Sequence, residues 1–143
     1  MGATVNAYWP GITEEQRESE PDFYNDSKAW GEWMAEREEV PAVSEALARL
    51  GAEALLTYKT DGVEDDEVDW VTPGRLREAA LRLREAVRAG APETAVILET
   101  YARGSNGVHP VVEEFVRDLD DIVATAEWAE REGAEVITLE VNW

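Results

Sequence analysis

Residues 61–69 (DGVEDDEVD) hold six carboxylates, Asp61, Glu64, Asp65, Asp66, Glu67 and Asp69, with no basic side chain among them, and Trp70 follows directly. Side chains of this type and density can coordinate a hard cation, face a cationic partner, or sit solvated in a loop. A helix–loop–helix calcium site needs carboxylates at loop positions 1, 3 and 5 and a glycine at position 6. Here Val63 stands third and Asp66 sixth, so that site is excluded. A looser Ca2+ or Mg2+ site from Asp61, Asp65, Asp66 and Asp69 stays open, but no metal ligand set is assigned. The partner reading draws on Trp70, because an aromatic beside a charged rim has the composition of an interface anchor. Its plainer role is core packing.

Two further groups could do chemistry. Asn6, Tyr8, Thr57, Lys59, Glu99, Tyr101, Thr138, Glu140 and Asn142 fall on one face of a sheet if the segments carrying them are strands. Glu99 and Glu140, near Lys59 and Tyr101, would then be placed as an acid/base pair in a groove. A solvated outer face with cross-strand ion pairs explains the same residues. The segment Arg103-Gly104-Ser105-Asn106-Gly107 leads through His109-Pro110 into a helix start. Backbone amides there, with Arg103, Ser105 and His109, could hold a phosphate or carboxylate. The segment matches neither the P-loop nor the dinucleotide fingerprint, and an ordinary Gly/Asn turn accounts for it equally well.

The chain has one His and no Cys. Thiolate chemistry, disulfides and thiolate metal sites are excluded. A Ser-His-Asp arrangement cannot be argued around one His, and no His pair exists to hold zinc. No catalytic residue is assigned and no cofactor is expected.

The elements that would position these groups are read from periodicity. Residues 3–9 supply a first strand. Pro41 opens a helix with Val43, Ala46, Leu47 and Leu50 on one face, and residues 27–38 place Trp30, Trp33 and Met34 together at helical spacing. Thr72-Pro73 starts another helix, with Leu76, Ala79, Ala80, Leu83 and Val87 inward. The longest helix runs from about Pro110 to Glu132, with Val112, Phe115, Val116, Leu119, Ile122, Val123 and Ala126 as its stripe. Gly51, Gly90 and Gly133 suit helix ends, and each precedes an apolar run of strand length, at 54–59, 95–101 and 136–143.

The resulting order, β-α-β-α-β-α-β, predicts a single α/β domain over residues 1–143: a two-layer sandwich with a four-stranded, mostly parallel sheet. The last strand alternates Ile137, Leu139 and Val141 against Thr138, Glu140 and Asn142, so helices are expected mainly on one face with the other open. In such a fold the segments 10–26, 61–69 and 103–109 gather at one sheet edge, where α/β proteins place ligands.

Charge sets the class of partner. The chain carries 32 acidic and 13 basic side chains, net −19. A field of that sign repels nucleic acid and anionic membranes and attracts cationic proteins. No apolar run approaches the roughly 20 residues of a membrane span, and residues 1–16 have no basic segment before a long apolar one. A soluble, cytoplasmic protein is expected. One segment runs against the trend: Arg75, Arg77, Arg82, Arg84 and Arg88 face only Glu78 and Glu85 between residues 75 and 88. That basic helix could pair with the acidic helix near the C-terminal end, or mediate a homodimer.

These observations favour a non-enzymatic acidic module of the immunity-protein or inhibitor type, capturing a basic protein partner, with nucleic-acid-acting proteins one such class, through Asp61, Glu64, Asp65, Asp66, Glu67, Asp69 and Trp70. A small-molecule binder or enzyme using Lys59, Glu99, Tyr101, Arg103, Ser105, His109 and Glu140 is the alternative. An acidic soluble domain without either role is the third.

Overall fold

A computed structural model describes residues 4–21, 41–60, 62–105 and 111–142. Its described part is mostly helical, with a single two-stranded antiparallel sheet. The predicted four-stranded, mostly parallel α/β sandwich is therefore not formed. The strands are β1 (Thr4–Tyr8) and β2 (Thr138–Asn142). The helices are α1 (Glu14–Arg17), α2 (Pro41–Arg49), α3 (Pro73–Ala89), α4 (Thr94–Ser105) and α5 (Val111–Arg131). The helix read over residues 27–38, the loop segment 22–26, Asp61 and the stretch Asn106–Pro110 lie outside the described residues.

The segments predicted as the second and third strands fail for different reasons. Residues 95–101 look β-forming through Val96, Ile97 and Thr100, yet they lie within α4. The groups that bury there are Thr94, Ile97, Thr100 and Tyr101, and steps of three and four fit a helix face. Thr100 satisfies its hydroxyl locally by donating to the Val96 carbonyl at 2.8 Å, which lets a β-branched residue sit inside a helix. The segment after α2 instead folds into a 3-10 turn over Glu53–Leu56. Only Lys59 reaches the sheet, in a parallel bridge to Glu140, with its N–H on the Leu139 carbonyl at 2.9 Å. Val71 makes a second, antiparallel bridge to Ile137.

The first and last predicted strands exist but run antiparallel, in the register Thr4↔Asn142 to Tyr8↔Thr138. Val5, Ala7, Leu139 and Val141 are buried from one face of the pair. The other face carries Asn6, Tyr8, Thr138 and Glu140. Thr57 meets Thr138 there, and Asp65 and Trp70 meet Tyr8, so the expected open face is partly covered. The free edge of β1 is blunted at Ala7, whose N–H donates to Glu20 at 2.8 Å and whose carbonyl accepts from Arg17 at 3.3 Å. Those two side chains also pair with each other. Occupying the edge groups of a strand in this way discourages pairing with another chain.

The helices carry the core. In α3, Thr72 accepts from the Arg75 N–H at 3.2 Å and Pro73 opens the first turn. Gly90 ends the helix in a left-handed conformation, φ 69°, as its position predicts. The inward stripe of α3, Leu76, Ala79, Ala80, Leu83 and Val87, is buried as expected and packs on α5. In α5, Phe115, Leu119, Ile122 and Ala126 are buried, joined by Trp128 and Ala129. Val112, counted in the stripe, is exposed. Trp128 packs tilted against Trp9 with ring centroids 5.1 Å apart, tying the helix to the chain after β1.

Candidate functional site: an acidic turn pinned to the sheet

The acidic run is not a loose linker. Residues Asp65–Glu67 form a 3-10 turn, and side chains from three parts of the chain hold the segment in place. The Tyr8 hydroxyl lies 3.1 Å from both carboxylate oxygens of Asp65 and donates to them. The Trp70 indole N–H donates to the Asp65 carbonyl at 3.0 Å. Lys59 Nζ donates to the Val63 carbonyl at 2.6 Å and sits 5.5 Å from the Tyr8 ring centroid, within cation–π reach. Thr57 Oγ1 donates to the Asp69 carbonyl at 2.6 Å, so its 2.8 Å contact with Thr138 Oγ1 has Thr138 as donor. That buried hydroxyl pair fastens the segment to β2.

The apolar anchor of the segment is Val68, which is buried. Trp70 is only half-buried and lies against Tyr8 with ring centroids 5.9 Å apart. It is a ledge beside the turn rather than a core residue. Burial, then the Asp65 carboxylate, push the Tyr8 phenol above its ordinary range, so Tyr8 stays a donor at neutral pH. Glu64, Asp65, Asp66, Glu67 and Asp69 are all exposed. Among the described residues Glu64, Asp66, Glu67 and Asp69 have no ion-pair partner. The arrangement presents unpaired carboxylates on a fixed turn, rimmed by two aromatic rings.

The ligand-binding group is not assembled on one sheet face. Lys59 and Glu140 are adjacent through their bridge. Glu99 and Tyr101 are on α4, which is no part of the sheet, so the groove predicted around Glu99, Lys59 and Tyr101 does not form there. Glu99 is exposed, whereas Tyr101 is fully buried. Arg103 and Ser105 continue α4 instead of opening a loop, and His109 lies outside the described residues. An open groove of ≈ 530 Å³ runs between α3 and α5, lined by Arg77, Arg84, Leu81 and Val123 among others. It contains none of the predicted ligand residues.

Tyr101 belongs to a polar contact that pattern reading missed. Its hydroxyl donates to Asp118 Oδ2 at 2.6 Å in the interior between α4 and α5, and its ring meets Phe115 edge-on at 4.9 Å. Asp118 and Thr125 are both fully buried. The signal was present: Phe115, Asp118, Ile122, Thr125 and Ala129 step by three and four along one seam. Counting only apolar residues passed over the two polar ones.

No protein-family model, curated protein or solved structure matches this chain. The functional reading therefore rests on its own residues. The pairing expected between the basic and acidic helices occurs at Arg84–Asp120, 2.6 Å, while Arg82 pairs with Glu78 within α3. No helix among the described residues is long and apolar enough to cross a membrane.

Proposed function

We propose that this protein is a non-enzymatic binding module that captures a cationic protein through the turn at Glu64–Asp69, with Trp70 and Tyr8 as the apolar ledge. The observation that carries the reading is the pinning of the turn by Tyr8, Lys59, Thr57 and Trp70. A surface already held in its binding geometry loses less conformational entropy on association. The unpaired carboxylates raise the encounter rate with a positively charged partner, and the half-buried rings supply area once the complex forms. An acidic inhibitor of a nucleic-acid-acting protein works on this logic, since such a target presents a cationic surface.

Self-association through α3 is the weaker reading. Arg75, Arg77 and Arg88 are exposed without a carboxylate partner among the described residues. Two copies would each bring a net charge of −19, and that repulsion opposes the dimer at low salt.

The test is association kinetics with the partner as salt is raised, comparing wild type with a Glu64→Gln, Asp66→Asn, Glu67→Gln variant. Among the described residues these three exposed side chains have no ion-pair partner, so the variant should stay folded. The expected result is a lower association rate in the variant and a weaker salt dependence. Identical rates at every salt would remove the turn from the interface.

A further inference from the structure

The joint between α4 and α5 contains a carboxyl group placed where an ionised carboxylate is poorly accommodated. Asp118 is fully buried beside Phe115, Leu119 and Ile122. Its Oδ2 accepts from Tyr101, but among the described residues its Oδ1 has no hydrogen-bond partner. One helical turn earlier, Glu114 Oε2 is likewise enclosed without a partner. Glu114, Asp118, Asp121 and Thr125 fall within a narrow arc of α5, and among the described residues the carboxylates acting on Asp118 are Asp121 and Glu114 of its own helix. From α4 the facing titratable group is Tyr101. On α3, Arg84 pairs with Asp120 and Arg82 with Glu78.

A buried anion with one unsatisfied oxygen and acidic neighbours must be neutralised or leave the interior. A proton on Oδ1 or a bound cation could do so. Among the described residues no group of three His, Cys, Asp or Glu side chains is placed to hold a metal, which favours the proton. We propose that the α4–α5 joint is a proton-dependent contact, closed when the Asp118 carboxyl is neutral and loosened when it ionises.

The electrostatics agree. Burial pushes the Asp118 carboxyl up to about 7, Tyr101 pulls the other way by donating to it, and Asp121 and Glu114 add to the rise. Burial, with Asp118 beside it, also raises Tyr101, so the phenol remains the donor throughout the neutral range. An unfolded aspartate titrates near about 3.9. The folded state therefore holds the extra proton between those values, and the stability this group confers is complete below about pH 4 and lost as pH rises through about 7. Histidine side chains ordinarily titrate near neutral pH, and the chain has one, His109.

The experiment is a ¹³C NMR titration of the aspartate carboxyls, assigned to Asp118 by its loss in Asp118→Asn, in a His109→Gln background. Thermal melts of the same proteins accompany it across the neutral range. The expected results are an Asp118 midpoint near 7, a wild-type melting temperature that falls as pH rises, and an Asp118→Asn profile without that fall. Tyr101→Phe should move the midpoint higher, because a donor that favours the ionised form is gone. If Asp118→Asn does not fold, the wild-type titration with Tyr101→Phe decides the matter alone. A midpoint in the ordinary carboxylate range would overturn the proposal. So would a melting temperature raised by millimolar Mg2+ or Ca2+ in wild type only, which would assign a cation to the site instead.

Discussion

The Tyr8 hydroxyl sits 3.1 Å from each carboxylate oxygen of Asp65, 57 residues further along the chain. This contact joins the first strand to the centre of the acidic turn, and with Lys59 and Trp70 it makes an exposed, highly charged segment part of the folded scaffold.

Tyr8→Phe removes the hydroxyl and keeps the ring against Trp70. The turn should then lose amide hydrogen-exchange protection around residues 64–67, while global stability falls by no more than about 1 kcal/mol, the net worth of one solvent-accessible hydrogen bond. Unchanged protection in the turn would show that Tyr8 does not hold it.

Neutralising Glu64, Asp66 and Glu67 should leave the protein as stable as wild type or slightly more stable. Among the described residues these carboxylates have no ion-pair partner to lose, and removing them relieves part of the repulsion in a chain of net charge −19. Urea denaturation of the triple variant checks this. Added salt should stabilise wild type more than the variant, because screening acts on the charges that were removed. A loss of stability on neutralisation would mean that the carboxylates support the fold.

Thr57 and Thr125 predict opposite outcomes for one substitution. Thr57 Oγ1 joins Asp69 and Thr138, so Thr57→Val should cost about 1–3 kcal/mol through the buried partners it strands. Thr125 Oγ1 is buried with no hydrogen-bond partner among the described residues, and Thr125→Val replaces it with a methyl group of similar shape, which should be neutral or stabilising by up to about 1–3 kcal/mol. Equal losses at both positions would contradict this hydrogen-bond assignment.

Two glycines form a similar contrast. Gly51 has φ 69° and a side-chain Cβ there would lie 2.5 Å from Arg82 Nη1, so Gly51→Ala should destabilise by about 1 kcal/mol or more. Gly74, in the first turn of α3, has open space around it, and Gly74→Ala should stabilise by up to about 1 kcal/mol. Chemical denaturation midpoints of the two variants should move in opposite directions.

The parts of the fold legible in the sequence were those with long periodic patterns. Leu76 to Val87 in α3 and Phe115 to Ala126 in α5 repeat often enough to fix both the helix and its inner face. Short apolar runs did not carry that information. Val96-Ile97-Leu98 suits a strand by residue type, and what makes it helical is the burial of Ile97 together with Tyr101, a tertiary fact. Once residues 54–59 and 95–101 were read as strands, alternation implied parallel neighbours, whereas β1 and β2 are antiparallel partners from opposite ends of the chain. The site was legible only in composition. The acidic run and Trp70 stand out in sequence, but their fixation depends on Tyr8, Lys59 and Thr57, whose places follow from a sheet that periodicity did not describe. Asp118 was hidden for another reason: it occupies a seam position that apolar counting leaves out.

Capture of a cationic protein by the pinned acidic turn is tested most directly by affinity capture from native extract at low and high salt, with wild type and the Glu64→Gln, Asp66→Asn, Glu67→Gln variant as paired baits. The expected result is one basic protein, stoichiometric with wild type at low salt, depleted at high salt and largely missing from the variant. No retained partner at either salt, or equal retention on both baits, would contradict it.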